Sequence, residues 1–171
     1  MGDALVVAER AWSVVVPHQA RGARVARHRL ATELAGAVNP ELVADAAVVV
    51  GELVGNSVRH ARPLPGNTVL IRLRVRAEAG RQYLELRVTD GGGAPGRPRL
   101  CTAGPDAVNG RGLTIVAALA DRWGVEQDAD EQCVWAQLSF PSARPNGWHA
   151  PSQSASGPVP DGYAVDGTGA G

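Results

Sequence analysis

The sequence contains no lysine: all 17 of its basic residues are arginine. That absence excludes several kinds of chemistry at once. A P-loop needs a lysine on the phosphates, a protein-kinase fold needs its strand lysine, and Schiff-base enzymes need an amine. An excess of charge is missing too, with 17 basic residues against 17 acidic ones and a pI near 6.9. Proteins that track phosphate backbones carry a basic excess or a basic face, so no direct contact with nucleic acid is expected. Cysteine is scarce. Cys101 and Cys133 form no CxxC pair, so two free thiols in a reducing compartment are expected. No apolar run approaches the roughly 18 residues of a membrane span, and no basic segment leads into a long apolar one at the N-terminus. The expectation is a cytoplasmic protein off the membrane, and no internal repeat is visible.

What remains is a chain of 171 residues, 44% hydrophobic, which is enough for one domain with its own core. Trp12 to Val16 reads as a short strand closed by Pro17. From Gln19 to Leu34 the spacing turns helical, with Val25, Leu30 and Leu34 on one side. Arg21, Arg24, Arg27 and Arg29 spread over the rest, either as a solvated face or as a docking surface. Asn39, Pro40 and Glu41 mark a helix start: a capping side chain, a proline at the first position and an acid in the first turn. That helix is expected to run to Ala61 and to stop before Pro63.

Two alternating strands follow. Val69, Ile71, Leu73 and Val75 oppose Arg72, Arg74 and Arg76, and Leu84, Leu86 and Val88 oppose Glu85 and Arg87, with a turn at Gly80. A sheet with one apolar and one charged face is covered on one side only. The fold class is therefore α/β, a two-layer sandwich rather than a doubly wound sheet. After a Gly- and Pro-rich loop over 91–109, a third helix is expected from Gly112 to Asp121. Closing strands at Trp123–Gln127 and Cys133–Phe140 flank the acidic turn Asp128–Glu131. Beyond Pro141 the composition shifts to Pro, Gly, Ser and Ala, so 142–171 is expected to be a disordered tail. Residues 1–9 form an N-terminal extension and 10–141 the domain.

Three segments carry chemistry. On the second helix, Glu52, Asn56 and His60 stand at i, i+4 and i+8 and share one stripe, beside the apolar stripe of Leu42, Val49 and Leu53. A carboxylate and an amide at the margin of a core-facing stripe are costly to bury without a ligand or ion, though an exposed helix edge would also suit them. At a strand end, Asp90 precedes Gly91, Gly92 and Gly93, which suits close approach of backbone to a flat ligand. A carboxylate there can accept from an exocyclic amine such as that of adenine; an ordinary glycine turn is the alternative. Gly91, Gly93 and Gly96 also match G-x-G-x-x-G, but Pro95 and Pro98 prevent the helix that a dinucleotide fingerprint must open. Third, Asn109-Gly110-Arg111-Gly112-Leu113 leads glycines into a helix start, where free N–H groups and the helix dipole favour phosphate.

In this order and spacing, the three segments resemble the N, G1 and G2 boxes of the GHKL superfamily, which includes gyrase, histidine kinases and the RsbW-like anti-sigma-factor serine kinases. The run Gly110-Arg-Gly-Leu-Thr-Ile-Val-Ala-Ala-Leu-Ala-Asp-Arg-Trp-Gly-Val125 looks most like the RsbW-like branch. The resemblance spans residues 10 to 140. It implies a Bergerat-type sandwich with a mostly antiparallel, mixed sheet and three helices on one face. It also implies a regulatory protein that binds Mg-ATP and phosphorylates a serine of an anti-sigma-factor antagonist, with a sigma factor as another partner and a homodimer as its assembly. The alternative is a non-catalytic ATP-binding module that sequesters its partner.

By position, the resemblance makes Glu52 the catalytic general base and Asn56 the Mg²⁺ ligand, and gives the adenine amine to Asp90. Gly92, Gly110, Arg111, Gly112 and Leu113 would line the nucleotide, with 94–109 as a lid. The chain departs from the family pattern at Ala94, where the D-x-G-x-G motif would end in Gly, and at Gly55 and Ser57, more often Thr and Ala. His18, His28, His60 and His149 show no metal-ligand spacing, and Trp12, Trp123 and Trp135 read as core or strand residues.

Overall fold

In the computed structural model, the described residues are 8–93, 111–128 and 130–141. The alternating segments become strands β1 (Ala8–Pro17), β2 (Thr68–Glu78) and β3 (Arg81–Asp90), closed by β4 (Arg122–Asp128) and β5 (Glu131–Pro141). The helical spacings become α1 (Gly22–Leu34), α2 (Pro40–His60) and α3 (Arg111–Leu119). β1 starts at Ala8, earlier than expected, because its register with β2 runs unbroken from Pro17↔Thr68 to Ala8↔Ala77.

The five strands lie in the order β1-β2-β3-β5-β4, and every neighbouring pair is antiparallel. The two-layer sandwich forms as expected, and its sheet is fully antiparallel where a mostly antiparallel, mixed one was expected. The cause is the last hairpin. α3 carries the chain back so that β4 runs parallel to β3, but β5, paired from Glu131 opposite Asp128, lies between them. The β2–β3 connection is the two-residue turn Ala79-Gly80, both at positive φ (48° and 74°), a geometry that matches the twist of the strands it joins.

One sheet face supplies Val69, Ile71, Leu73 and Val75 from β2 and Leu84, Leu86 and Val88 from β3, all buried. Against them pack Leu42, Val49, Val50, Leu53 and Val54 of α2 and Leu30 and Leu34 of α1. Each such side chain contributes about 1.5–3 kcal/mol by leaving water. The other face stays open and carries Arg72, Arg74 and Arg87; Arg74 pairs with Glu9, and Arg87 with Glu85 and Glu126. Trp12 and Trp123 pack against the core, whereas Trp135 stands on the open side, where its ring covers Gly124. Arg21, at the N-cap of α1, and Arg24, Arg27 and Arg29 within it are exposed. Among the described residues, no helix is long and apolar enough to cross a membrane.

α2 is tied to β3 at both ends. At its start the Asn39 side chain accepts from the Glu41 N–H (2.8 Å), while the Asn39 N–H donates to Gln82 Oε1 of β3 (2.8 Å). At its end the chain runs directly beside the glycines after β3: Arg62 N–H donates to the Gly92 carbonyl and Gly91 N–H to the Arg62 carbonyl, both at 2.8 Å. These ties fix the polar stripe of α2 relative to Asp90.

Candidate nucleotide site

Asp90 ends β3 and is 2% exposed. Its Oδ2 accepts from the Ser57 hydroxyl of α2, and its Oδ1 from the Gly92 N–H at 2.9 Å. Gly92 can turn back onto the carboxylate because its φ is +66°, a region that side chains disfavour. Gly91 is required for a different reason. A Cβ there would stand 2.6 Å from the Pro63 carbonyl oxygen and 3.0 Å from that of Arg62. The Ser57 carbonyl, in turn, lies 3.0 Å from His18 Nε2 and accepts from the Ala61 N–H at 3.0 Å.

Burial pushes the Asp90 carboxyl above its ordinary value. The bonds from Ser57 and Gly92, with the charge of His18, pull the other way but do not cancel it.

The second part of the site is on the same helix, at Asn56, the residue before Ser57, and Glu52, one turn further towards the start of α2. Glu52 and Asn56 are half-buried, and the buried Gly112 in the first turn of α3 sits directly against them. A Cβ on Gly112 would be 2.6 Å from Glu52 Oε2 and 3.3 Å from Asn56 Oδ1, so a side chain there would have to displace Glu52. The start of α3, where a helix carries its positive dipole end and its first N–H groups lie outside the helical ladder, therefore meets a carboxylate and an amide oxygen. Asn56 Oδ1 also accepts from Arg59 Nη2 at 2.8 Å. Arg111 opens α3, and Leu113 is half-buried against the core.

Of the expected site residues, the fold thus joins Glu52, Asn56 and Gly112 in one place, and Asp90 and Gly92 in another, both on the margin of α2. His60, third in the helical spacing, is exposed and takes no part in the bonds around Asp90. Gly110, Ala94, the lid expected over 94–109 and the tail over 142–171 lie outside the described residues.

Sequence reasoning did not assign Ser57 or His18 to the site. Ser57 left a usable signal: a hydroxyl at i+4 from Leu53 and i+3 from Val54 falls on the buried stripe, where a polar group needs a partner. His18, just beyond a strand, left none.

The donor set fits a magnesium ion held mainly by its nucleotide. Among the described residues no cluster of three or more His, Cys, Asp or Glu could hold a metal. One amide oxygen beside a helix start, an end that favours phosphate, suits Mg²⁺, which keeps waters and takes phosphate oxygens.

Comparison with known proteins agrees with this geometry. The family described as the histidine kinase-like ATPase domain matches residues 16–138, more than two thirds of the chain. A comparison with curated proteins gives no match. The matched span takes in α2 with Glu52 and Asn56, the β3 end with Asp90, and the start of α3. The chain belongs to the histidine kinase-like ATPase domain family, and it is an ATP-binding domain of the GHKL superfamily.

Proposed function

We propose that the protein is a Mg-ATP-dependent serine/threonine protein kinase of the RsbW-like type, acting as an anti-sigma factor. Its substrate would be a serine of an anti-sigma-factor antagonist, with a sigma factor as its other partner, and it would act as a homodimer in the cytoplasm. The observation that carries this reading is the meeting of Glu52 and Asn56 with Gly112 at the start of α3. A carboxylate beside a phosphate-binding helix start is where a base for a hydroxyl nucleophile must stand.

In this reading Asp90 accepts the adenine amine, and the backbone at Gly92, Gly110, Arg111, Gly112 and Leu113 lines the nucleotide. Asn56 Oδ1 would hold the magnesium ion, which would neutralise charge on the phosphates. Glu52 takes the proton of the partner's serine hydroxyl as the serine oxygen bonds to the γ-phosphorus and ADP leaves. Phosphoryl transfer is mostly positioning and charge neutralisation, so these few groups suffice.

A second reading, an ATP-binding module that sequesters its partner without transferring phosphate, is favoured by one contact. Arg59 already donates to Asn56 Oδ1, the oxygen that a metal would need. Glu52→Ala separates the two. A radiolabelled transfer assay on candidate antagonists should lose about 10²–10⁴-fold in rate, while calorimetry finds ATP affinity within about threefold of wild type. Wild-type protein that binds ATP but labels no antagonist serine would leave only the module.

A further inference from the structure

Ser57 stands at a position noted above as more often Ala in the family, and the fold gives its hydroxyl an unusual destination. A serine inside a helix ordinarily returns its hydroxyl to the carbonyl one turn back. Ser57, 3% exposed, instead donates across the α2–β3 boundary to Asp90 Oδ2. With Gly92 N–H on Oδ1, the carboxylate is pinned from two sides, one donor from the helix and one from the loop. Both bonds favour the ionised form, and burial opposes it. The ionised form is an acceptor only, whereas a protonated carboxyl carries a donor.

We propose that Ser57 is a positioning residue for recognition of the nucleotide base: its hydroxyl holds the Asp90 carboxylate as an oriented acceptor. So held, Asp90 takes an exocyclic amine, as on adenine, and repels an exocyclic carbonyl oxygen, as on guanine. This rests on the reading that Asp90 meets the base. Loss of the hydroxyl frees one carboxylate oxygen to turn and lets the group take up a proton, so affinity and base selectivity fall together.

Among the described residues, the following groups face Asp90. From α2 it is the Ser57 hydroxyl, and from the segment after β1 the His18 ring. Across the sheet the paired residue is the uncharged Gln132.

The test is calorimetric titration of the full chain with ATP and with GTP, from about pH 5 to about pH 8, for wild type, Ser57→Ala, Ser57→Thr and Asp90→Asn. In Ser57→Ala, ATP affinity at neutral pH should fall about tenfold, and the preference for ATP over GTP should narrow by a similar factor. The acid limb of ATP binding should move to higher pH, also in a His18→Gln background. Ser57→Thr, which keeps the hydroxyl, should restore all three. In the nucleotide-free protein, the ¹³C carboxyl titration of Asp90 should move upward in Ser57→Ala. Wild-type affinity, selectivity and acid limb in Ser57→Ala, while Asp90→Asn still loses ATP, would overturn the role of Ser57 alone. If Asp90→Asn also binds ATP normally, the reading of Asp90 falls and the proposal with it.

Discussion

The two ends of the candidate site are built on opposite principles. Around Asp90, the polar groups already have partners: the carboxylate takes Ser57 and Gly92, the Ser57 carbonyl takes Ala61, and the 62–63 segment is clamped to Gly91 and Gly92. The carboxylate itself is buried. Around Glu52 and Asn56 the side chains are half-buried, with Gly112 beside both and Arg59 donating to Asn56 Oδ1. In the proposed reading, an end whose polar groups are already bonded suits selection of a base, and an end with unspent oxygen lone pairs suits a triphosphate and its metal.

Substitution by alanine at two glycines should show that difference most directly. At Gly91 the new methyl would meet the backbone carbonyls of Pro63 and Arg62, which cannot give without opening the clamp. Gly91→Ala should therefore destabilise the fold by about 1–3 kcal/mol, read by chemical denaturation. Asp90→Asn should act less strongly and in the opposite sense. The Asp90 carboxyl is raised in the folded state, so the group favours folding below its unfolded pKa, and that contribution is lost as pH rises through the folded value. The variant, freed of a buried charge, should show a higher Tm than wild type at neutral pH, and the gap should close as the solution is acidified. Gly112→Ala should change stability least. Its methyl would meet the far end of the Glu52 side chain, which can swing aside. Denaturation midpoints should stay within about 1 kcal/mol of wild type, while any phosphoryl transfer falls because Glu52 has moved.

The same contrast explains how much of the molecule could be read in advance. The strands and helices announced themselves through period, and the Asn39-Pro40-Glu41 start of α2 formed as its chemistry dictates. Glu52, Asn56 and Asp90 were visible because carboxylates and amides at such positions are hard to explain otherwise. The three glycines after Asp90 were not separable. Gly91 is needed for space, Gly92 for its positive φ, and Gly93 is exposed with nothing near where a side chain would stand. Ser57 was hidden for a related reason: a helical hydroxyl always has a local carbonyl available, so only the packing of α2 on β3 shows that it reaches across. The all-antiparallel sheet depended on where the β4–β5 hairpin inserts, which no local pattern encodes.

The measurement that bears most directly on the central claim is calorimetric titration of ATP into the full chain, with and without Mg²⁺, alongside Asp90→Asn and Asn56→Ala. Wild type should bind ATP saturably and more tightly with Mg²⁺, Asp90→Asn should lose roughly 10–100-fold in affinity, and Asn56→Ala should show no Mg²⁺ dependence. ATP binding that is indifferent to both substitutions would contradict the claim and place the nucleotide elsewhere on the molecule.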